Sequence, residues 1–232
     1  MSERATGIES NASTGPAEHV LHVRNRRRKE ARPDEILDAA LAEFAEHGYA
    51  DARLDRVAQR AGIAKGTIYL YFPGKEDLFR AVALRVIAPQ MSTIAALTQT
   101  FTGSTEEFIR GPFKQALLHL LRSDARHLAR IILTEGRNFP DLTEFFAREV
   151  VQRGLNMLRG VVARGVASGE FRHTGLDEYP QPLMAVAVLA MLWETLLRRH
   201  GMDLDVERLL DTHLDVVLEG IKARPAATAS PG

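Results

Sequence analysis

Residues 61–79 read AGIAKGTIYLYFPGKEDLF, a short helical pattern bounded by glycine-containing breaks on both sides. A short helix is predicted just before Gly62, and another over about residues 65–72, where a Pro-Gly pair ends it. Small residues at the turn let these two helices approach closely. The spacing predicts a helix-turn-helix motif at about residues 53–72, whose second helix would lie in the major groove of DNA. The alternative is an ordinary helical hairpin.

The outer face of the second motif helix carries hydroxyl and ammonium groups, which suit phosphate oxygens. Thr67, Tyr69 and Tyr71 are predicted to point outward, whereas Ile68 faces the core. Gly66 removes a side chain where the backbone would approach the duplex. The predicted DNA-contacting residues of the motif are Arg53, Lys65, Gly66, Thr67, Tyr69, Leu70, Tyr71 and Lys75.

A basic segment, RNRRRKEAR at residues 24–32, lies upstream of the motif. Such an arm can enter an adjacent minor groove or follow the phosphate backbone. The predicted contacts in the arm are Arg26, Arg27, Arg28 and Lys29. The alternative is a solubilising run of charge, but the adjacent motif favours DNA contact.

Helical spacing of apolar residues continues along most of the chain, without a convincing strand pattern or internal repeat. The predicted fold is all-α, with an N-terminal three-helix helix-turn-helix domain and a larger C-terminal helical domain. Pro33 begins the first helix, and Pro89 should kink or end the fourth. Later helices are predicted over about residues 104–121, 124–136, 140–168, 182–200 and 205–221. The predicted domains are a disordered tail (1–23), the basic arm (24–32), the helix-turn-helix domain (33–88), the C-terminal domain (89–222) and a second disordered tail (223–232).

Composition narrows the classes of function. The 232 residues have a formal net charge of zero, so attraction to DNA has to come from local clusters of charge. The absence of cysteine excludes disulfides and thiolate metal sites. The N-terminal residues lack the apolar core of a secretory signal, and the longest apolar stretch, residues 183–193, is about half of a membrane span. We therefore predict a cytoplasmic protein with no membrane partner.

The sequence offers no recognisable catalytic pattern: no Ser-His-Asp spacing, no phosphate-cradling glycine loop and no paired His/Glu metal motif. His119 and His127 flank a helix break, which is a poor spacing for metal ligands. We therefore predict no enzyme activity, no cofactor and no metal site. An all-helical enzyme remains an alternative.

Residues 33–80 resemble the N-terminal domain of the TetR/AcrR family of bacterial transcriptional regulators. The resemblance is carried by ILDAALAEFAEHGYADARLDRVAQRAGIAKGTIYLYFPGKEDLF, residues 36–79. Arg53 and Ala64 depart from the family pattern, because each stands where a Ser or Thr usually caps a motif helix. Asp55 stands where a basic or polar base-contacting residue often sits. The resemblance implies that the C-terminal domain binds a ligand and forms the dimer.

The last two helices are predicted to form a homodimer interface. The helix over residues 183–197 is apolar nearly all round, so it has to be buried on several sides. The final helix, residues 205–221, carries an apolar stripe. Packing both helices against the same helices of a second copy gives a four-helix interface. Paired DNA half-sites require a dimer with such a two-fold symmetry axis. The alternative is that both helices belong to the domain's own core.

A small-molecule pocket is expected among the central helices. Its predicted lining combines apolar side chains with polar candidates on otherwise apolar stretches. The predicted lining residues are Phe101, Phe108, Phe113, Leu117, His119, Ile131, Glu135, Phe145, Met157 and Trp193. Each apolar residue among them can equally be plain core, and Glu135 can instead pair with Arg137 or cap a helix end.

The leading hypothesis is a dimeric repressor that binds a palindromic operator in double-stranded DNA. A small, largely apolar effector would release the operator. It would do so by binding more tightly to a dimer in which the two DNA-binding domains are spaced differently from their spacing on DNA. The alternative is a helix-turn-helix regulator that is constitutive or controlled by a protein partner, without a small-molecule pocket. A cavity search among the central helices distinguishes the two.

Overall fold

The computed structural model describes residues 33–223, which fold into helices joined by short loops. In order, the helices are α1 (residues 33–47), α2 (Leu54–Arg60), α3 (Lys65–Tyr69), α4 (Lys75–Thr100), α5 (Thr105–Phe108), α6 (Lys114–Arg122), α7 (Ala125–Glu135), α8 (Pro140–Phe146), α9 (Arg153–Ala167), α10 (Pro182–Leu196) and α11 (Val206–Ile221). An isolated antiparallel β-bridge joins Phe171 to Lys222. The predicted all-α class is confirmed. The predicted arm and both predicted tails lie outside the described residues, apart from residue 223.

Two of the longer predicted helices each contain a π-helical turn. Ile109–Phe113 joins α5 to α6, and Ala147–Gln152 joins α8 to α9. Pro112 lies in the first turn, where its missing N–H cannot complete an ordinary α-helical hydrogen bond. Such widened turns redirect side chains without ending a helix. Each run therefore stays helical over nearly its predicted length.

A first apolar cluster, the head cluster, fills the space beneath α1, α2, α3 and the first turns of α4, which together form the head. Phe44, Ile68 and Phe79 are fully buried in it. The same cluster continues into α7 and α8 through residues such as Leu128 and Leu142. The head therefore shares its core with the start of the larger helical domain, and the two cannot move independently without opening that core.

A second apolar cluster, the body cluster, lies among α6, α9, α10 and α11. Leu158, Leu183 and Leu214 are examples of its buried members. Val186 and Ala187 of α10 also face it, so one side of this apolar helix belongs to the domain's own core. The body cluster thereby fixes α10 and α11 side by side.

Helix α4 connects the head cluster to the body cluster. It continues through Pro89, so of the two predicted outcomes at this proline, a kink or an end, the helix does not end there. A proline inside a helix costs about 3 kcal/mol, but Phe79 and Val82 pack into the head cluster before it and Ile94 packs on the body cluster after it. Among residues 33–223, α4 is the one helix long and apolar enough to cross a membrane by length and composition alone, which is weak evidence for a span.

Candidate nucleic-acid interface and apolar cavity

Helices α2 and α3 form the predicted angled pair. Gly62, with a φ of +64°, turns the chain sharply after α2, and the amide of Ile63 then donates to the carbonyl of Ala58 at 3.0 Å. A positive φ is easily reached by glycine alone. Val57 of α2 and Ile68 of α3 are buried in the head cluster. The pair is therefore held by its inner face, and the outer face of α3 is left open to solvent.

The open face of α3 brings together several of the predicted DNA-contacting residues. Tyr69 is 48% exposed and Leu70 is 80% exposed. Lys65 and Gly66 are also exposed. The other two, Thr67 and Tyr71, are half-buried, and Tyr71 packs partly on the head cluster. We call Lys65, Gly66, Tyr69 and Leu70 the recognition face.

Asp55 holds the two cations at the edge of the recognition face. Its carboxylate lies 2.7 Å from Nζ of Lys65 and 3.4 Å from Nη2 of Arg53. The hydrogen bond from Lys65 lowers the pKa of Asp55, and Asp55 in turn raises the pKa of Lys65. All three groups are exposed, so phosphate oxygens can replace the carboxylate. Sequence reasoning noted only that Asp55 stands where a base-contacting residue often sits, and it missed this positioning role.

Lys75 was predicted to lie against a phosphate, but its ammonium is engaged within the protein. Nζ donates to the carbonyls of Tyr49, Ala50 and Ala52 at 2.8, 3.0 and 3.2 Å. It also lies 4.7 Å from the centre of the Tyr49 ring. Burial lowers the pKa of Lys75. Its three donors are therefore used to tie α4 to the loop between α1 and α2.

A buried carboxylate behind the interface orients α2. Glu43 of α1 is fully buried and accepts from the backbone amide of Arg53 at 3.0 Å and from Nε of Arg56 at 2.6 Å. Burial would raise its pKa, but these hydrogen bonds outweigh burial and lower it. Sequence reasoning missed Glu43. Its signal is an acid within the apolar stripe of α1, opposite arginines spaced four apart at Arg56 and Arg60.

The predicted contacts of the basic arm, Arg26, Arg27, Arg28 and Lys29, lie outside the described residues. Their role in DNA binding stays a prediction.

An apolar cavity of about 250 Å³ lies among α4, α6, α7, α9 and α10. Its volume is slightly below the usual range for ligand sites, about 300–1,000 Å³. Gln90 supplies a polar side chain in a wall that is otherwise apolar. Three of the predicted lining residues, Phe113, Leu117 and Met157, face this cavity. This wall suits an uncharged chain or ring, whether that is a whole ligand or the apolar part of one.

The other predicted lining residues lie elsewhere: Phe101, Phe108, His119, Ile131, Glu135, Phe145 and Trp193. Phe108 stacks edge-on with Phe101, at 5.5 Å between ring centres, and belongs to the body cluster. Ile131 and Phe145 are buried in the head cluster. Trp193 turns its indole N–H to the carbonyl of Met202 at 2.8 Å. The aromatic and aliphatic side chains among these are occupied by packing, which periodicity cannot distinguish from pocket lining, whereas His119 is exposed.

Glu135, at the C-terminal end of α7, connects the larger domain to the head. Its carboxylate accepts from the backbone amide of Tyr49 at 3.1 and 3.2 Å and from that of Ala50 at 2.7 Å. One turn earlier, Nη2 of Arg130 donates to the carbonyl of Ala45 at 3.1 Å. We call these contacts the α7 latch. They hold the end of α1 and the loop that leads into α2.

Two family models match separate parts of the chain. Residues 36–82 match the model described as bacterial regulatory proteins, tetR family. Residues 113–201 match the model described as AefR-like transcriptional repressor, C-terminal domain. The first match contains the helix-turn-helix pair, and the second contains most of the wall of the apolar cavity.

Two curated relatives match over about three quarters of their own length. The chain is 31% identical over 156 residues to the fatty acid metabolism regulator protein of Bacillus subtilis, covering 64% of this chain and 76% of that one. It is 32% identical over 164 residues to the HTH-type transcriptional repressor SCO4008 of Streptomyces coelicolor, covering 70% and 77%. These relatives are transcriptional regulators.

A solved structure has the same fold. The transcriptional regulator FadR from Bacillus subtilis, in complex with stearoyl-CoA, superposes with a TM-score of 0.66 at 22% identity. The match covers 81% of this chain and 98% of FadR.

Proposed function

This chain belongs to the TetR family of bacterial regulatory proteins, and we propose that it is a cytoplasmic homodimeric repressor of transcription. Its recognition face would bind a palindromic operator in double-stranded DNA. A small, largely apolar effector would enter the apolar cavity and release the operator. The FadR complex with stearoyl-CoA supports this, since the same fold there holds a ligand with a long apolar chain.

The observation that carries the proposal is that α7 contacts both the apolar cavity and the head. Ala129, Ile132 and Leu133 of this helix wall the apolar cavity, while its end holds the head through the α7 latch. An effector that displaces α7 therefore also displaces the loop between α1 and α2. A ligand shifts the head only to the extent that it binds one arrangement more tightly than the other. If the head moves by a few ångströms, its side chains no longer align with the DNA phosphates that they contact.

Gly66 provides a test of the recognition face. A methyl group added at Gly66 would meet no other atom within 4 Å, so alanine should leave the free energy of unfolding unchanged or slightly higher. If α3 lies in the major groove, the same methyl group reaches the duplex. We expect Gly66→Ala to weaken operator binding by about tenfold, or ~1.4 kcal/mol. Operators selected from random DNA, labelled and followed by fluorescence anisotropy at fixed salt concentration, provide the measurement.

Gly160 is the matched control for Gly66. It lies in α9, and an added methyl group there also has open space. Gly160→Ala should bind the operator as the unmodified protein does. Unchanged affinity in Gly66→Ala would remove α3 from the interface.

Ala129 provides a test of the apolar cavity. Leucine at this position fills part of the space between α7 and its neighbours, so 1-decanol should bind at least about tenfold more weakly. In the unmodified protein, 1-decanol should raise the midpoint of thermal unfolding and lower operator affinity. Ala129→Leu should keep its operator affinity but lose both responses.

Ala163→Leu serves as the control for Ala129→Leu, because Ala163 is exposed on α9. It should respond to 1-decanol normally. If Ala129→Leu also responds normally, the cavity is not the effector site.

A further inference from the structure

A second cavity, of about 360 Å³, lies between α6, α7 and the C-terminal half of α10. We call it the basic cavity because four arginines line it: Arg122, Arg126, Arg130 and Arg198. Arg126 and Arg130 lie one turn apart on the same side of α7, and Arg122, at the end of α6, lines the same cavity.

The positive charge of the basic cavity is only partly neutralised. Arg198 pairs with Glu194 at 2.8 Å, and Arg122 pairs with Glu207 at 2.9 Å. Arg126 and Arg130 have no carboxylate within 4.0 Å among residues 33–223, and they donate hydrogen bonds to the backbone carbonyls of Arg122 and Ala45. His127 lies between them, and its pKa is lowered by burial, by Arg126 and by Arg130, while Asp124 acts against this shift. An anion would therefore be stabilised here by two guanidinium groups without an acidic partner.

The basic cavity and the apolar cavity are neighbours on the two sides of the contact between α7 and α10. Met191 lines both of them. Along α7, Arg126 and Arg130 face the basic cavity, whereas Ala129 and Leu133 face the apolar one. Methionine is a flexible side chain that changes rotamer readily. A molecule can thus place a charged end and an apolar chain on opposite sides of Met191.

We propose that the basic cavity holds the anionic head group, a phosphate or a carboxylate, of the same effector whose chain fills the apolar cavity. The effector is then an anionic amphiphile. This inference rests on the proposed effector-controlled repressor and adds the charge that its ligand carries. A bound anion would also act on the helix-turn-helix region of the protein, because Arg130 donates to the carbonyl of Ala45 in α1. A bound anion competes with that carbonyl for the guanidinium and so weakens the α7 latch.

Three probes with the same ten-carbon chain test the head group: n-decyl phosphate, decanoate and 1-decanol, all below micelle-forming concentrations. Isothermal titration calorimetry measures their affinities, and fluorescence of Trp193, the single tryptophan and a neighbour of Glu194, gives a second readout. We expect at least one of the two anionic probes to bind about tenfold or more tightly than 1-decanol, as a charge-assisted hydrogen bond supplies. Which anion binds more tightly distinguishes phosphate from carboxylate.

Arg126→Gln should remove most of this advantage while leaving the affinity for 1-decanol unchanged. Arg126 is exposed and makes no ion pair with another described residue, so its loss should not unfold the protein, and a thermal scan verifies this. Arg148→Gln is the control, since Arg148 is exposed and lies outside the basic cavity. It should retain the full preference for the anionic probe.

The outcomes separate this inference from the proposed function. Equal affinity for all three probes overturns the anionic head group but leaves an apolar effector in place. No binding of any probe overturns both. Inorganic phosphate alone, if it binds as tightly as n-decyl phosphate, overturns the single amphiphile because the anion then gains nothing from the chain. An unaltered preference in Arg126→Gln overturns the basic cavity as its source.

Discussion

Replacing Gly48 with alanine should lower the free energy of unfolding by about 3 kcal/mol. The added methyl group strains the backbone and also overlaps a neighbouring side chain. Gly48 has a φ of +75°, and a non-glycine residue in this left-handed region costs about 1–2 kcal/mol. The added methyl group would also overlap the carboxylate of Glu135. Glu135 can move aside only by giving up its hydrogen bonds to Tyr49 and Ala50, and unpaired amides cost about 1–3 kcal/mol.

The measurement is thermal or denaturant unfolding at one fixed protein concentration, because the proposed dimerisation would make the midpoint depend on concentration. For a chain of this size, 3 kcal/mol corresponds to a fall of about 6–12 °C in the midpoint temperature. Operator binding should weaken as well. The affected loop leads directly into α2, so the α7 latch and the orientation of the helix pair change together.

Gly62→Ala separates the two causes. Gly62 has a similar φ of +64°, but nothing lies within 4 Å of a methyl group added there. Its replacement should therefore cost only the conformational part, about 1–2 kcal/mol. In a Glu135→Ala background, Gly48→Ala should cost no more than Gly62→Ala does, because the overlap is gone. Equal costs for the two glycine variants in the unmodified background would mean that Glu135 does not constrain the loop.

The helix-turn-helix pair was predictable from sequence because its determinants are local. Gly62 fixes the turn, and Val57 and Ile68 are inward at helical spacing within a few residues of it. The exposed Tyr69 and Leu70 follow from the same periodicity. When a motif is defined by neighbours along the chain, its inner and outer faces can be assigned without knowing the rest of the fold.

The roles of Lys75 and Glu135 were not predictable in this way. Lys75 reaches carbonyls 23–26 residues earlier in the chain, and Glu135 reaches amides 85 and 86 residues earlier. Both are charged residues that satisfy polar backbone groups of one loop, which sequence spacing does not reveal. The sequence around a lysine beside a DNA-binding motif is the same whether its ammonium binds a DNA phosphate or a backbone carbonyl of the protein.

Pocket lining was predicted only in part for a related reason. Phe113 and Met157 face the apolar cavity, whereas Phe108 and Ile131 are equally apolar but fully buried in the clusters. Which of these neighbours meets a void depends on the π-helical turns and on the crossing of several helices. Apolar periodicity locates the inner side of a helix but not the gaps in its packing.

Replacing Leu189 with glutamate should convert the proposed homodimer to a monomer and weaken operator binding by at least about a hundredfold, or ~2.8 kcal/mol. Leu189 and Leu196, two turns apart on α10, are 48% and 47% exposed, and Val216 of α11 is 70% exposed. The opposite faces of both helices are buried in the body cluster. An apolar stripe left open beside a completed core is the surface that a second copy would cover.

A carboxylate at position 189 would have to be buried without a partner in this interface, which costs several kcal/mol. A monomer then presents one recognition helix instead of two, and the contacts of one half-site are lost. Analytical ultracentrifugation measures the first effect and operator anisotropy the second. Leu97→Glu, at the end of α4, is the control because Leu97 is also an exposed leucine. It should remain dimeric.

A mixture of charge variants distinguishes a lost interface from a misfolded chain. In a two-fold dimer, the two copies of a residue near the axis lie close to each other. Leu189→Glu and Leu189→Lys should each be monomeric, since like charges meet, whereas their mixture should recover dimers and part of the operator affinity through opposite charges. Misfolding would not be repaired by mixing. If Leu189→Glu alone stays dimeric and binds the operator normally, the two copies associate through another surface.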